Sequence, residues 1–104
     1  VPINSQTAAY TTVLADSGKA ILHPSTDNNA RTFTIDSNAN VAYPVGTCIT
    51  FVHEKNTVTI AITADTMTLA GGVSTGSRSL ATTGVATAIK VTSTRWVISG
   101  TGLT

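Results

Sequence analysis

Apolar and polar residues alternate with a period of two over short stretches of this chain, and no stretch of ten or more shows the 3.6-residue period of a helix. The clearest run is RTFTID (31–36), with Phe33 and Ile35 on one face and Thr32 and Thr34 on the other. TCITFV (47–52) and TVTIAIT (57–63) are the strongest strands. In the second, Val58, Ile60 and Ile62 point one way, and Thr57, Thr59, Ala61 and Thr63 the other. HEKN lies between these two runs, and Asn56 suits a tight reversal, so the pair is predicted to form a hairpin. YTTVLA (10–15), KAILH (19–23), MTLA (67–70), RSLAT (78–82), VATAIKVT (85–92) and RWVISG (95–100) complete the strands. Ser93 and Thr94 mark a second hairpin between the last two. PSTDNNA (24–30) has the composition of a loop, and Pro44 keeps SNANVAYPVG (37–46) out of any central strand.

About eight or nine short strands at this spacing predict an all-β fold, a compact antiparallel β-sandwich or a jelly-roll-like barrel. Parallel pairing is not expected, because it ordinarily uses crossover helices and the chain supplies none. Residues 1–9 read as an N-terminal linker or arm, and 10–104 as a single β-domain. Val1 in place of Met implies a fragment or a processed product.

Composition sharpens this picture. Hydrophobic residues make up 41% of the 104-residue chain but aromatics only 5%, so Val, Ile, Leu and Ala must build the core. Charged residues are 11%, against roughly 25% in an ordinary soluble domain. Thr takes their place, at about a fifth of the chain, and its β-branched side chain suits a pleated surface. The result is a polar but nearly uncharged exterior with little same-sign repulsion between copies, which favours faces that meet other protein. The formal net charge is +1, and Lys19, Arg31, Lys55, Arg78, Lys90 and Arg95 form no run, so the electrostatic footprint of a nucleic-acid binder is missing. No apolar span approaches the roughly 20 residues of a membrane helix, and no cleavable leader is recognisable. Cys48 is the only cysteine, which excludes an internal disulfide, and it reads as a small buried hydrophobe in CITFV.

GGVSTGSR (71–78) carries two candidate chemistries. Gly72 to Gly76 fits the G-x-S-x-G of a nucleophile elbow, which needs a strand feeding a helix and a histidine for the Ser74 proton. Both histidines, His23 and His53, precede Ser74, and Asp65 is the last acid of the chain. Gly71 to Gly76 also fits the spacing of a phosphate loop, but Ser77 and Arg78 follow where Lys and a hydroxyl belong. The stretch reads as a glycine-rich turn. His23 and His53 lack a placed carboxylate pattern for a metal and read as surface or strand-end residues. Asp27, Asn28 and Asn29 lack the spaced oxygens of a calcium loop and read as a polar turn. Trp96 reads as core, or as a stacking surface for a sugar ring with Tyr10 and Tyr43 beside it. Five acids with no obvious pair argue against glycoside hydrolysis. The chain is therefore expected to be no enzyme and to need no cofactor or metal.

The segments VPINSQTAAYTTVLADSGKAILHPS, ARTFTIDSNANVAYPVGTCITFV and TLAGGVSTGSRSLATTGVATAIKVTSTRWVISGTGLT resemble a small β-domain that closes many tailed-bacteriophage virion proteins. The blocks LADSGKAILHP, YPVGT, TGSRSLATTGVATAIKVT and RWVISGTGLT carry the resemblance in that order, over nearly the whole chain. Members of that family usually have more sequence before VP. The resemblance implies a virion location and a tail-fibre or capsid-decoration role. It also implies a symmetric homo-oligomer, with a trimer frequent, and other virion proteins as partners. It brings no catalytic residues with it. Two readings follow: an oligomeric structural knob, or a receptor-binding module for host surface glycan. In the second, Trp96, Tyr10 and Tyr43 would stack on sugar, and Asp27, Asn28 and Asn29 would supply polar contacts. The strands in VLADSGKAILHPS and VATAIKVT are the expected subunit contacts.

Overall fold

A computed structural model describes residues 2–104. Nine strands form among them: β1 (Ile3–Ser5), β2 (Tyr10–Thr11), β3 (Ala20–His23), β4 (Arg31–Ile35), β5 (Cys48–His53), β6 (Val58–Ile62), β7 (Thr66–Leu69), β8 (Arg78–Thr92) and β9 (Arg95–Leu103). No α-helix occurs among the described residues, as the period-two alternation predicts. The Cα radius of gyration, 12.4 Å, is that of a compact chain of this length rather than an extended rod.

The pairing differs from the expected antiparallel arrangement. β1, β3 and β5 pair side by side in parallel, and so do β2, β4 and β6. The chain passes between these two stacks in turn, so each pass lays one strand on each stack. A strand of the opposite stack does the work of a crossover helix, which is why parallel pairs exist without one. TCITFV and TVTIAIT are consequently no hairpin. β5 pairs with β3 and β8, and β6 pairs with β4 and β8. Asn56 does reverse the backbone, at φ 69°, but it turns a corner between stacks. Alternation could not reveal this, because each strand buries one face whichever direction its neighbour runs.

β8 ties the stacks together. Its start, Arg78–Leu80, pairs antiparallel with β6, and Val85–Ile89 pairs antiparallel with β5. The RSLAT and VATAIKVT runs are thus one strand, bent where its ladder with β9 jumps from Leu80↔Leu103 to Val85↔Thr101. Thr83, at φ 64°, sits in the bend. The β8–β9 hairpin around Ser93 and Thr94 forms as predicted, and β7 adds in parallel to the far side of β9.

Two local differences have simple causes. YTTVLA is a strand only over Tyr10–Thr11, because Asp16 Oδ2 accepts the Val13 N–H at 2.9 Å and pulls Leu14–Asp16 into a 3₁₀ turn. Within the segment read as an arm, Ile3–Ser5 pairs as the edge strand on β3, with Gln6 N donating to Leu22 O at 2.9 Å.

The core lies between the stacks. Phe33 on β4 and Phe51 on β5 stack with centroids 6.5 Å apart, joined by Ile21, Ile49, Val58 and Ile60. Trp96 and Ile98 on β9, with Met67 on β7, extend it, and all three are fully buried. Gly100 on β9 is a packing glycine. A Cβ there would sit 2.2 Å from Val85 O and 2.6 Å from Ala86 Cα, so only glycine lets β9 lie this close to β8.

Candidate functional site

The residues singled out for sugar contact do not assemble on the surface. Trp96 is 0% exposed and Tyr43 3%, and the two rings meet edge to face at 5.5 Å. Tyr43 Oη lies 2.6 Å from Thr12 Oγ1, and burial pushes its phenol pKa up. Their faces stack on protein, so neither offers a platform to a sugar. Tyr10 is half-buried and donates to Asp16 Oδ2 at 2.6 Å, while Asn4 Nδ2 donates to its oxygen at 3.1 Å. Burial, and then the Asp16 bond, raise the Tyr10 pKa. Asn28 and Asn29 remain exposed. Asp27 is buried, and Arg31 donates to both of its oxygens at 2.8 and 3.2 Å. Asn29 Nδ2 donates to Asp27 Oδ1 at 2.6 Å.

GGVSTGSR is a turn, with positive φ at Gly71 and Gly76 but not at Gly72. Ser74 stands in no contact with either histidine. Its carbonyl accepts the Leu69 N–H at 2.9 Å, and Gly76 N donates to Met67 O at 2.9 Å.

The histidines do stand at strand ends, closing β3 and β5, but they are buried core neighbours rather than surface residues. His23 and His53 share a register position on β3 and β5 and are 0% and 1% exposed. Their Nδ1 atoms lie 3.0 Å apart, His23 Nε2 contacts Asp27 Oδ2 at 2.8 Å, and His53 Nε2 donates to the Asn56 carbonyl. All four ring nitrogens are engaged within the fold. The chain of contacts ends on an acceptor at both ends and needs three protons for three bonds. The inward parity of Ile21–His23 and of Ile49–Phe51–His53 was the only sequence signal for this pair, and it required knowing that β3 and β5 are neighbours.

The cluster predicts acid lability in two steps. Burial, together with the His23 charge, lowers the His53 pKa despite its bond to Asn56. His53 therefore stays neutral in the fold at a pH where the unfolded chain is protonated, so acid favours unfolding below about pH 6.5. The hydrogen bonds from Arg31, then Asn29 and His23, hold the Asp27 carboxyl well below its ordinary 3.8. That contribution is complete above 3.8 and is lost as pH falls through the folded value. Melting temperature should fall as pH drops below about 6.5 and again below 3.8, and Asp27→Asn should remove the lower step. A midpoint that rises or stays flat between pH 7 and pH 3 contradicts this reading.

The outward face of β3, β5, β8 and β9 is the more unusual feature. Its residues line up in rows across the ladder: Cys48, Ile89 and Val97; Ala20, Thr50, Thr87 and Ser99; Leu22, Val52, Val85 and Thr101. Thr50 and Thr87 hydrogen-bond through their hydroxyls at 3.0 Å, as neighbours on one face do. No charged side chain occurs in these rows. Val85, Ile89 and Val91 are 46%, 39% and 40% exposed. The outward positions of β4, β6 and the start of β8 are different: Thr32, Thr34, Thr59, Ala61 and Ser79 carry no large apolar group. One outer face is apolar and the other is hydroxyl-rich. Cys48, expected to be buried, is half-buried on the apolar one.

No family model, curated protein or solved structure matches this chain. The apolar face is thus the strongest indication of function that the molecule itself offers.

Proposed function

We propose that this chain is a non-enzymatic structural module of a tailed-phage virion, a knob of a fibre or capsid-decorating protein that assembles as a homotrimer. The observation that carries the reading is the apolar face of β3, β5, β8 and β9, with Val85, Ile89 and Val91 exposed on it and Arg95 the one charged side chain, at its β9 end. A sheet face of this kind stabilises an assembly when covered and invites non-specific association when it is not. The VATAIKVT strand expected to make subunit contacts runs through its centre. In this reading the two stacks serve as the leaves of a small sandwich, one turned toward other copies and the other, rich in threonine, toward solvent or other virion proteins.

Glycan binding is the weaker reading, because Trp96 and Tyr43 are buried and only the exposed Asn28 and Asn29 remain as polar contacts. An antibody against the chain tests the virion assignment. It should label purified particles of the phage that encodes the chain at symmetry-related tail or capsid positions. Unlabelled particles beside abundant free protein in the lysate would contradict it.

A further inference from the structure

Lys90 is the one fully buried charged residue of β8, at 1% exposed. Its Nζ donates to Asn38 Oδ1 and to the Tyr43 carbonyl, both at 2.8 Å, and lies 5.8 and 6.0 Å from the ring centres of Tyr43 and Trp96. Among the described residues no carboxylate lies within salt-bridge distance of it. A buried ammonium without a counter-ion is an expensive group to keep, and neutral acceptors offset only part of the cost. The loop bearing Asn38 is fastened on both sides of the contact. Asn38 N donates to the buried Asp65 Oδ2 at 2.9 Å, Gly46 N donates to Lys90 O at 2.7 Å, and Lys90 N donates to Thr47 O at 2.9 Å. An amine and a carboxamide are therefore held in contact beside two aromatic rings.

We propose that Lys90 and Asn38 join in an intramolecular isopeptide bond, a self-modification that locks the loop after β4 onto β8. The Nζ–H bond to Oδ1 places the nitrogen beside the carbonyl carbon. Nζ first gives one proton to a water molecule, its lone pair attacks Asn38 Cγ, and the carbonyl π pair moves to Oδ1. A second Nζ proton passes to Nδ2, the carbonyl re-forms, and the Cγ–Nδ2 bond breaks to release ammonia. Ammonia takes up the first proton, so an ammonium and a carboxamide become a secondary amide and an ammonium ion. Atoms and charge balance with no oxidant or cofactor. Fixed geometry supplies the driving proximity, since well-oriented intramolecular nucleophiles act at effective concentrations of roughly 10⁵–10⁸ M. The product also removes the uncompensated buried charge.

Intact mass spectrometry of the folded chain tests this. The expected mass is lower than that of the sequence by one ammonia. Trypsin should fail to cut after the acylated Lys90 and should release residues 32–55 joined to 79–95. Lys90→Arg should restore the full mass and the separate peptides, and Asn38→Ala should do the same from the other side. Full sequence mass in the folded wild-type chain after prolonged incubation overturns the proposal without any variant. So does an ammonia loss that persists in Lys90→Arg and joins no peptides, which marks a cyclised asparagine instead.

Discussion

Replacing Trp96 by alanine should cost about 4 kcal/mol, a large part of the roughly 5–15 kcal/mol that holds a domain of this size together. The indole is wholly buried and lies edge to face with Tyr43, and it is paired in register with Met67 on one side and Lys90 on the other. Truncation leaves a cavity that these neighbours cannot fill, because each is fixed by its own strand or loop. Trp96→Phe should be far milder, at about 1–2 kcal/mol, since the indole Nε1 has no hydrogen-bond partner and its removal leaves no group unpaired. Urea unfolding followed by far-ultraviolet circular dichroism separates the two. Equal losses for both variants would mean that the ring's volume is not what matters.

Replacing Ile89 by aspartate should leave the single chain folded and break the assembly. Ile89 is already 39% exposed and stands between Cys48 and Val97 on the apolar outer face. In an isolated chain the carboxylate meets water at little cost. In a subunit contact it must be desolvated opposite apolar side chains, at several kcal/mol, so dissociation should rise roughly 100-fold or more. Thr59→Asp, on the hydroxyl-rich outer face, is the matched control and should leave association unchanged. Sedimentation velocity over a dilution series reads both. Dissociation by Thr59→Asp but not by Ile89→Asp would move the contact to the other face.

These two positions also show what was legible in the sequence. The buried places of Phe33, Ile35 and Ile60 followed from alternation, and the turn nature of GGVSTGSR followed from the missing chemistry around it. Asn56 marks a reversal, as its residue type predicts, but not a hairpin tip. Side-chain period records which face is buried and carries no information on whether the neighbouring strand is parallel or next in sequence. Three further misses follow from that one. The His23–His53 contact depends on β3 lying beside β5, although KAILH and TCITFVH are separated by another strand. Lys90 looked like one of six scattered cations, because its inward parity conflicts with its charge and only the docked 36–47 loop supplies its partners. The apolar outer rows were hidden for the same reason: Leu22, Val52, Val85 and Ile89 come from three strands whose order the sequence does not state. The aromatic candidates failed differently. With only 5% aromatic residues in the chain, the core claimed both Trp96 and Tyr43.

Self-association through the apolar outer face is the claim on which the functional reading stands, and the molar mass of the chain in solution tests it most directly. Light scattering after size exclusion should give three times the 10.6 kDa chain mass, maintained on dilution. A single species at 10.6 kDa across the same concentrations would contradict it.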